Sequence, residues 1–270
     1  MTRVLTAAAL LPLLWLSIKR APAWSFYALV GLVMAIAAWE CYALLNAAGA
    51  RPLRLLGLAA CLGVTGSFAW PGSALAPALP LALATFATIA GAMWRRGKPA
   101  AMLETASATL FPVLFVGLPF GYPVALRALQ GEDATDLLLL LSLCVMAGDT
   151  AAFYVGSKFG RHRMAPVVSP KKSWEGASAG IGGSIVAALV AHFWFYQRLP
   201  IVHAVVLGVL LGAAGIVGDL AESMVKRAAG AKDSSGLLPG HGGLLDRTDS
   251  LLFSGPLLYY YSLQFLGAGS

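Results

Sequence analysis

A chain of 270 residues with 59% hydrophobic and only 11% charged residues has too little charge to cover a soluble domain, where about a quarter of residues are charged. Its apolar residues run in blocks of about 15 to 24, the length that crosses the hydrocarbon core of a bilayer, so a soluble globular protein is excluded. The formal net charge of +7 fits membrane topology and attraction to anionic headgroups. Nucleic acid is not an expected partner, because the basic residues are scattered over short loops.

Nine apolar segments follow one another at roughly 4–18, 24–46, 53–70, 73–94, 101–120, 136–157, 176–197, 201–222 and 244–266. The first follows Arg3 and is itself followed by Lys19 and Arg20, where a signal peptide would carry small residues for cleavage; it reads as a retained span. The fifth contains Pro112 and Pro119 and could be tilted, broken or re-entrant. No internal repeat stands out. Cys41, Cys61 and Cys144 lie inside apolar blocks without a Cys-x-x-Cys or Cys/His arrangement, so they read as small apolar fillers. The expected fold is all-α: a polytopic integral membrane protein with about nine transmembrane helices. Residues 1–135 would hold about five spans, and residues 136–270 about four spans with two polar loops.

Loop charge tests that count. With the N-terminus and every second loop on one side, fifteen Lys and Arg residues fall there and four on the other. The rich side includes Arg3, Arg51, Arg54, Arg95, Arg96, Lys98, Lys158, Arg161 and Arg163; the poor side holds Lys19, Arg20, Arg127 and Arg198. The positive-inside rule then puts the N-terminus in the cytoplasm and the C-terminus outside.

The loop after the sixth segment begins at Gly148-Asp149-Thr150 and ends in Ser169-Pro170-Lys171-Lys172-Ser173-Trp174-Glu175-Gly176. Asp149 precedes the expected membrane exit by a turn or two, which marks it as functional or as a carboxylate snorkelling to the interface. The lysines and hydroxyls stand just before a helix expected to start near Ser173, a setting that suits phosphate. A Lys-Lys pair alone also occurs in ordinary cytoplasmic loops.

The loop after the eighth segment is richer. It carries Asp219, Glu222, Ser223, Lys226 and Arg227, then Lys232-Asp233-Ser234-Ser235, then Pro239-Gly240-His241-Gly242-Gly243-Leu244-Leu245-Asp246-Arg247-Thr248-Asp249. If the eighth helix continues to about 227, then Asp219, Glu222, Ser223 and Lys226 share a face. Asp246 and Asp249, three apart, could form a Mg²⁺ site that engages substrate phosphates. His241 could donate to a phosphate or simply be solvated. Lys226, Arg227, Lys232 and Arg247 could be a solvated basic face or a triphosphate clamp; the neighbouring acids favour the clamp.

The stretch Ser223–Asp249 resembles the pattern of the phosphatidate cytidylyltransferases (CDP-diacylglycerol synthases). Eleven fixed positions match: Ser223, Lys226, Arg227, Lys232, Asp233, His241, Gly242, Gly243, Asp246, Arg247 and Asp249. Gly148-Asp149 with Ser169 to Gly176 also looks like the family's middle segment, and Arg3 to Ala7 is similar to its opening. The resemblance implies transfer of CMP from CTP to phosphatidic acid, with pyrophosphate leaving. It implies Mg²⁺ on Asp246 and Asp249, with Asp219 at the same centre or at a second cation. Lys226, Arg227, Lys232 and Arg247 would then bind triphosphate or lipid phosphate, and Lys226 would join the three aspartates in catalysis. Ser169, Lys171, Lys172, Ser173 and Ser223 would complete the nucleotide pocket, with His241 a phosphate donor. The expected partners are CTP, phosphatidic acid and membrane lipids, with a homodimer left open. The expected location is a bacterial cytoplasmic membrane, with the active site on its cytoplasmic face.

Two other classes remain open at this point. A secondary transporter also carries intramembrane acids such as Glu40, Glu104 and Asp149, but would place them near the midplane and often duplicate its halves. A CTP-dependent lipid kinase or a CDP-alcohol phosphotransferase is the other; the latter's paired-aspartate helix motif is not found. Glu40 and Glu104 have no assigned role.

Overall fold

The computed structural model describes residues 15–70, 77–95, 97–129, 133–237 and 242–267. Its elements are α1 (Ala23–Ala47), α2 (Arg54–Ser67), α3 (Ala78–Trp94), α4 (Pro99–Pro112), a π-helical turn (Val113–Gly117), α5 (Leu118–Ala128), α6 (Asp133–Phe159), strands β1 (Arg163–Ala165) and β2 (Ser169–Ser173), α7 (Trp174–Trp194), α8 (Ile201–Ala228) and α9 (Leu245–Phe265). Eight of the nine expected segments coincide with helical segments to within several residues. The expected span 4–18 lies mostly outside the described residues, of which 15–19 are helical. Arg3, Arg96 and His241 also lie outside them.

Two short strands depart from a purely helical chain. β1 and β2 pair antiparallel, Arg163 opposite Ser173 and Ala165 opposite Ser169, with an irregular register between. At three and five residues they are too short to show alternation in sequence.

By length and composition, five helical segments among the described residues can cross a membrane: Ala23–Ala47, Pro99–Ala128, Asp133–Phe159, Trp174–Trp194 and Ile201–Ala228. α2 and α3 are shorter apolar helices. Trp24, Leu32, Phe86, Phe153 and Phe193 point outward, exposed, as suits a surface bathed in lipid rather than water. Trp174 and Trp194 bracket α7, whose 21 residues reach about 30 Å, the thickness of the hydrocarbon core. The chain is a mostly helical integral membrane protein.

The chain forms two compact units: Met1–Ala128 with Val225–Arg247, and Leu129–Met224 with Thr248–Ser270. In the first, α2 packs on α1, α3, α5 and the π turn. Contact is close where side chains are small: a Cβ at Gly57 would stand 1.8 Å from the Tyr42 hydroxyl, and one at Gly117 2.9 Å from the Cys61 Cα. Pro112 lacks an N–H and interrupts the α-helical ladder. The chain absorbs this in the π turn, so that 99–128 is one continuous 30-residue span rather than a broken one. Neighbouring side chains cover carbonyls around it: Tyr42 donates to Thr109 O at 2.7 Å, and Thr65 Oγ1 to Gly117 O at 2.6 Å. Where no water is at hand, that substitution is what permits the irregularity.

In the second unit, α6 and α7 pack along much of their length. A Cβ at Gly148 would meet Ser184 Oγ at 2.5 Å, and Ser184 Oγ donates to Cys144 O at 2.9 Å. α8 approaches α7 through Gly208 and Gly212, where a Cβ would lie 2.5 Å from Ile185 Cα and 2.9 Å from Ile181 Cα. Ser254 of α9 donates to Leu211 O of α8 at 3.2 Å. Small residues and hydroxyl-to-carbonyl bonds hold helices together where hydrophobic exclusion from water is unavailable.

Gly208→Leu should therefore destabilise the detergent-solubilised protein by about 1–3 kcal/mol through overpacking, read as a lower thermal midpoint. Gly182→Leu, at a position with nothing within 4 Å of a Cβ, should leave the midpoint unchanged or raise it. Equal effects would mean that the α7–α8 approach does not set stability.

Candidate active site

In the second unit, the apolar run of α8 ends at Val217 and the helix turns polar. Gly218 admits the backbone of α9: a Cβ there would stand 2.3 Å from the Asp249 carbonyl oxygen. That approach brings Asp249 beside Asp219 and Glu222, with one carboxylate oxygen of each inside a 4.8 Å span. Glu222 is fully buried, at 0% exposure. Lys172 Nζ lies 2.8 Å from Asp219 Oδ2, and Ser223 Oγ donates to Asp219 Oδ1 at 3.4 Å. Asp249 Oδ1 accepts the Ser250 N–H at 2.7 Å, and Ser250 Oγ donates to Asp149 Oδ1 at 3.2 Å. Three carboxylates this close repel one another, and Lys172 sets a single positive charge beside them. A hard cation with oxygen ligands is the natural complement, so this cluster could hold a metal ion.

The hairpin delivers Lys172. Ser173, extended at φ −129°, caps α7, its Oγ accepting the Gly176 N–H at 3.2 Å. Trp174 N–H donates to His162 O at 3.0 Å. The Glu175 carboxylate accepts the Arg161 N–H at 3.2 Å and sits 2.6 Å from His162 Nδ1. Pinned at both ends, β2 holds Lys172 inward, while Lys171 is exposed and its carbonyl accepts Arg163 Nη1 at 3.2 Å. Ser169 sits at the far end of the pair, opposite Ala165.

In the first unit, the loop before α9 is built around Asp246. Its Oδ1 accepts Lys226 Nζ at 2.6 Å; its Oδ2 accepts Ser234 N–H at 2.8 Å, Ser234 Oγ at 2.7 Å and Gly243 N–H at 2.7 Å. The two side chains of the ion pair are 11% and 6% exposed. Gly242 has φ +78°, and a Cβ there would stand 2.6 Å from Asp246 Oδ2, so the turn requires glycine. Arg227 is exposed and donates to Ala231 O at 2.9 Å; Lys232 and Arg247 are exposed.

The sequence-based candidates thus divide. Asp219 and Asp249, both candidate metal ligands by sequence, lie together and with Glu222, which stands three residues after Asp219. Asp246 is engaged by Lys226 and the loop. His241, expected to meet phosphate, lies outside the described residues. Glu40 has no role assigned by sequence alone, yet it is a buried member of the loop's hydrogen-bond network, accepting from Ser234, Ser235, Leu244 and Leu245. Its only signal in sequence was a carboxylate inside an apolar run. Glu104 is exposed on α4.

Removing one partner of the buried pair strands the other. Lys226→Met should destabilise the protein by about 3–5 kcal/mol, measured by denaturant unfolding in detergent, and adding Asp246→Asn should recover part of that loss. Full stability in Lys226→Met would contradict a buried ionic pair.

The family model described as cytidylyltransferase family matches residues 1–265. The chain is similar to a phosphatidate cytidylyltransferase of Synechocystis sp., 42% identical over 128 residues (47% of this chain, 43% of that protein). It is also similar to proteins of the same name from Mycobacterium bovis, 38% identical over 155 residues (57% and 50%), and Bacillus subtilis, 36% over 149 residues (54% and 54%). The chain spans about half the length of these curated relatives. With the match running over nearly its whole length, the chain belongs to the cytidylyltransferase family.

Proposed function

We propose that this protein is a phosphatidate cytidylyltransferase, transferring CMP from CTP to phosphatidic acid to give CDP-diacylglycerol and pyrophosphate for phospholipid synthesis. The observation that carries the reading is the gathering of Asp219, Glu222 and Asp249 beside Lys172. The relatives' names and the eleven matching motif positions support it.

In this reaction an oxygen of the lipid phosphate attacks the α-phosphorus of CTP. The bond from that phosphorus to the bridging oxygen breaks, and pyrophosphate leaves with the electron pair. The lipid phosphate is already an oxyanion, so no protein nucleophile is required. Catalysis rests on positioning and on neutralising phosphate charge. Asp219, Glu222 and Asp249 would hold Mg²⁺, which when bound offsets phosphate charge; a second cation near Asp219 belongs to the same proposal. Lys172 would bind phosphate, with Ser169 and Lys171 lining the nucleotide side. Ser173 and Ser223 would act through the α7 cap and through Asp219. Arg227, Lys232 and Arg247, exposed, would contact triphosphate or lipid phosphate, with His241 a further donor. Asp246, expected as a metal ligand, is better suited by its bonds to fixing Lys226 and the loop.

The nine-span topology, N-terminus inside and C-terminus outside, belongs to this proposal. So does a catalytic region within 136–270 working at the inner face of a bacterial cytoplasmic membrane. The fifteen-to-four partition of basic residues supports both.

The test is incubation of purified protein with phosphatidic acid, Mg²⁺ and CTP labelled on its α-phosphate. Label should enter lipid only with Mg²⁺, and Asp249→Asn or Glu222→Gln should each lower the rate on the order of 100-fold. Folded protein that labels no lipid would sink the reading, and release of CDP in place of pyrophosphate would indicate a lipid kinase.

A further inference from the structure

Glu40 lies on α1, 5% exposed, in a helix otherwise rich in apolar residues. A carboxylate in such a place loses its water and persists only if donors replace it. Among the described residues, its donors come from one distant segment. Oε1 accepts Ser235 Oγ at 2.6 Å and Leu244 N–H at 3.1 Å; Oε2 accepts Ser234 Oγ at 3.0 Å and Leu245 N–H at 2.8 Å. Leu244 and Leu245 stand at the start of α9, where N–H groups lack helical acceptors and the helix dipole favours an anion.

The connection continues past Glu40. The Ser234 hydroxyl lies between Glu40 Oε2 and Asp246 Oδ2, 3.0 Å from one and 2.7 Å from the other, and Ser234 N–H donates to Asp246 at 2.8 Å. Asp246 in turn holds Lys226 at 2.6 Å. Gly243 leaves the room this requires: a Cβ there would stand 2.1 Å from Ser234 Oγ and 2.5 Å from Glu40 Oε2. An apolar side chain would serve packing alone with less desolvation. Three donors of its own, with the Ser234 hydroxyl shared between it and Asp246, instead make Glu40 a fixed point for the loop.

We propose that Glu40 is a positioning residue for the transfer reaction: through Ser234 and the first N–H groups of α9, it fixes where Asp246 and Lys226 stand. This rests on the cytidylyltransferase reading. A glutamine amide, equal in shape, would set its own N–H bonds against the Ser235 hydroxyl or the Leu244 and Leu245 N–H groups.

The experiment compares wild type with Glu40→Gln and Glu40→Asp. It measures kcat and KM for CTP, thermal unfolding, and amide exchange along the full chain. Glu40→Gln should lower kcat by about 10- to 100-fold, the scale seen when supports of a reacting site are removed, with KM for CTP within about threefold. Exchange should quicken at 233–237 and 242–247 while α6 and α7 stay protected. Glu40→Asp should recover part of the rate, and Ser234→Ala should add less than about twofold on the Glu40→Gln background, since both act through one connection. Wild-type kcat and loop exchange in Glu40→Gln would overturn the proposal. So would a rate loss that follows the folded fraction, with exchange quickened evenly. Wild-type protein that transfers no CMP would instead remove the cytidylyltransferase reading, and the exchange data would still report whether Glu40 holds the loop.

Discussion

A carboxylate drawn from water into an apolar helical bundle loses several kcal/mol of solvation unless hydrogen-bond donors stand where the water stood. Glu40 meets that condition with donors from Ser235, Leu244 and Leu245 and with the Ser234 hydroxyl that it shares with Asp246, and the path of the loop before α9 follows. The chain must bring two serine hydroxyls and two backbone N–H groups to one point. Gly243 must lack a side chain to let them in, and Gly242 must take a positive φ to turn the backbone. Once that path is set, Ser234 presents both its N–H and its hydroxyl to Asp246, and Asp246 holds Lys226.

The same scarcity of water governs the helices. Carbonyls around the π turn within 99–128 take hydroxyls from Tyr42 and Thr65, and Ser184 and Ser254 bond to carbonyls of facing helices. Each bond is modest alone. Together with glycines that let backbones touch, they define helix positions closely. Catalytic geometry needs such a frame, because a carboxylate displaced by about 1 Å no longer faces its ligand productively.

Features encoded locally were legible in the sequence. Apolar runs marked the helices, the start of α7 was expected near Ser173, and the condition that α8 continue to about 227 is met by its end at Ala228. Features that depend on distant partners were not. Glu40 is 194 residues from Ser234 and 205 from Leu245, and no local pattern pairs them. The aspartates at 246 and 249 look equivalent by spacing, as do the acids at 219 and 222. Which of them gather is decided by how α9 meets Gly218, a matter of backbone approach rather than periodicity. The hairpin at 163–173 escaped because its strands are shorter than any alternation can register. Pro112 signalled an interruption but not its form, since a π turn and a broken helix begin from the same missing N–H.

The acids of the protein fall into two electrostatic situations. Glu40 and Asp246 face donors: backbone N–H groups, hydroxyls and, for Asp246, an ammonium. Their charge is answered within the protein, and what they do is hold the chain in place. Asp219, Glu222 and Asp249 crowd inside 4.8 Å with Lys172 Nζ beside Asp219, an arrangement whose mutual repulsion falls further when a cation enters. Three acids drawn together repel one another in a way that a lone paired acid does not, so a cation lowers the energy of the trio by more. Asp246 and Asp249 thus differ in what faces them although they are three residues apart: the first is held by the loop and Lys226, and the second lies in the trio that could hold a metal ion.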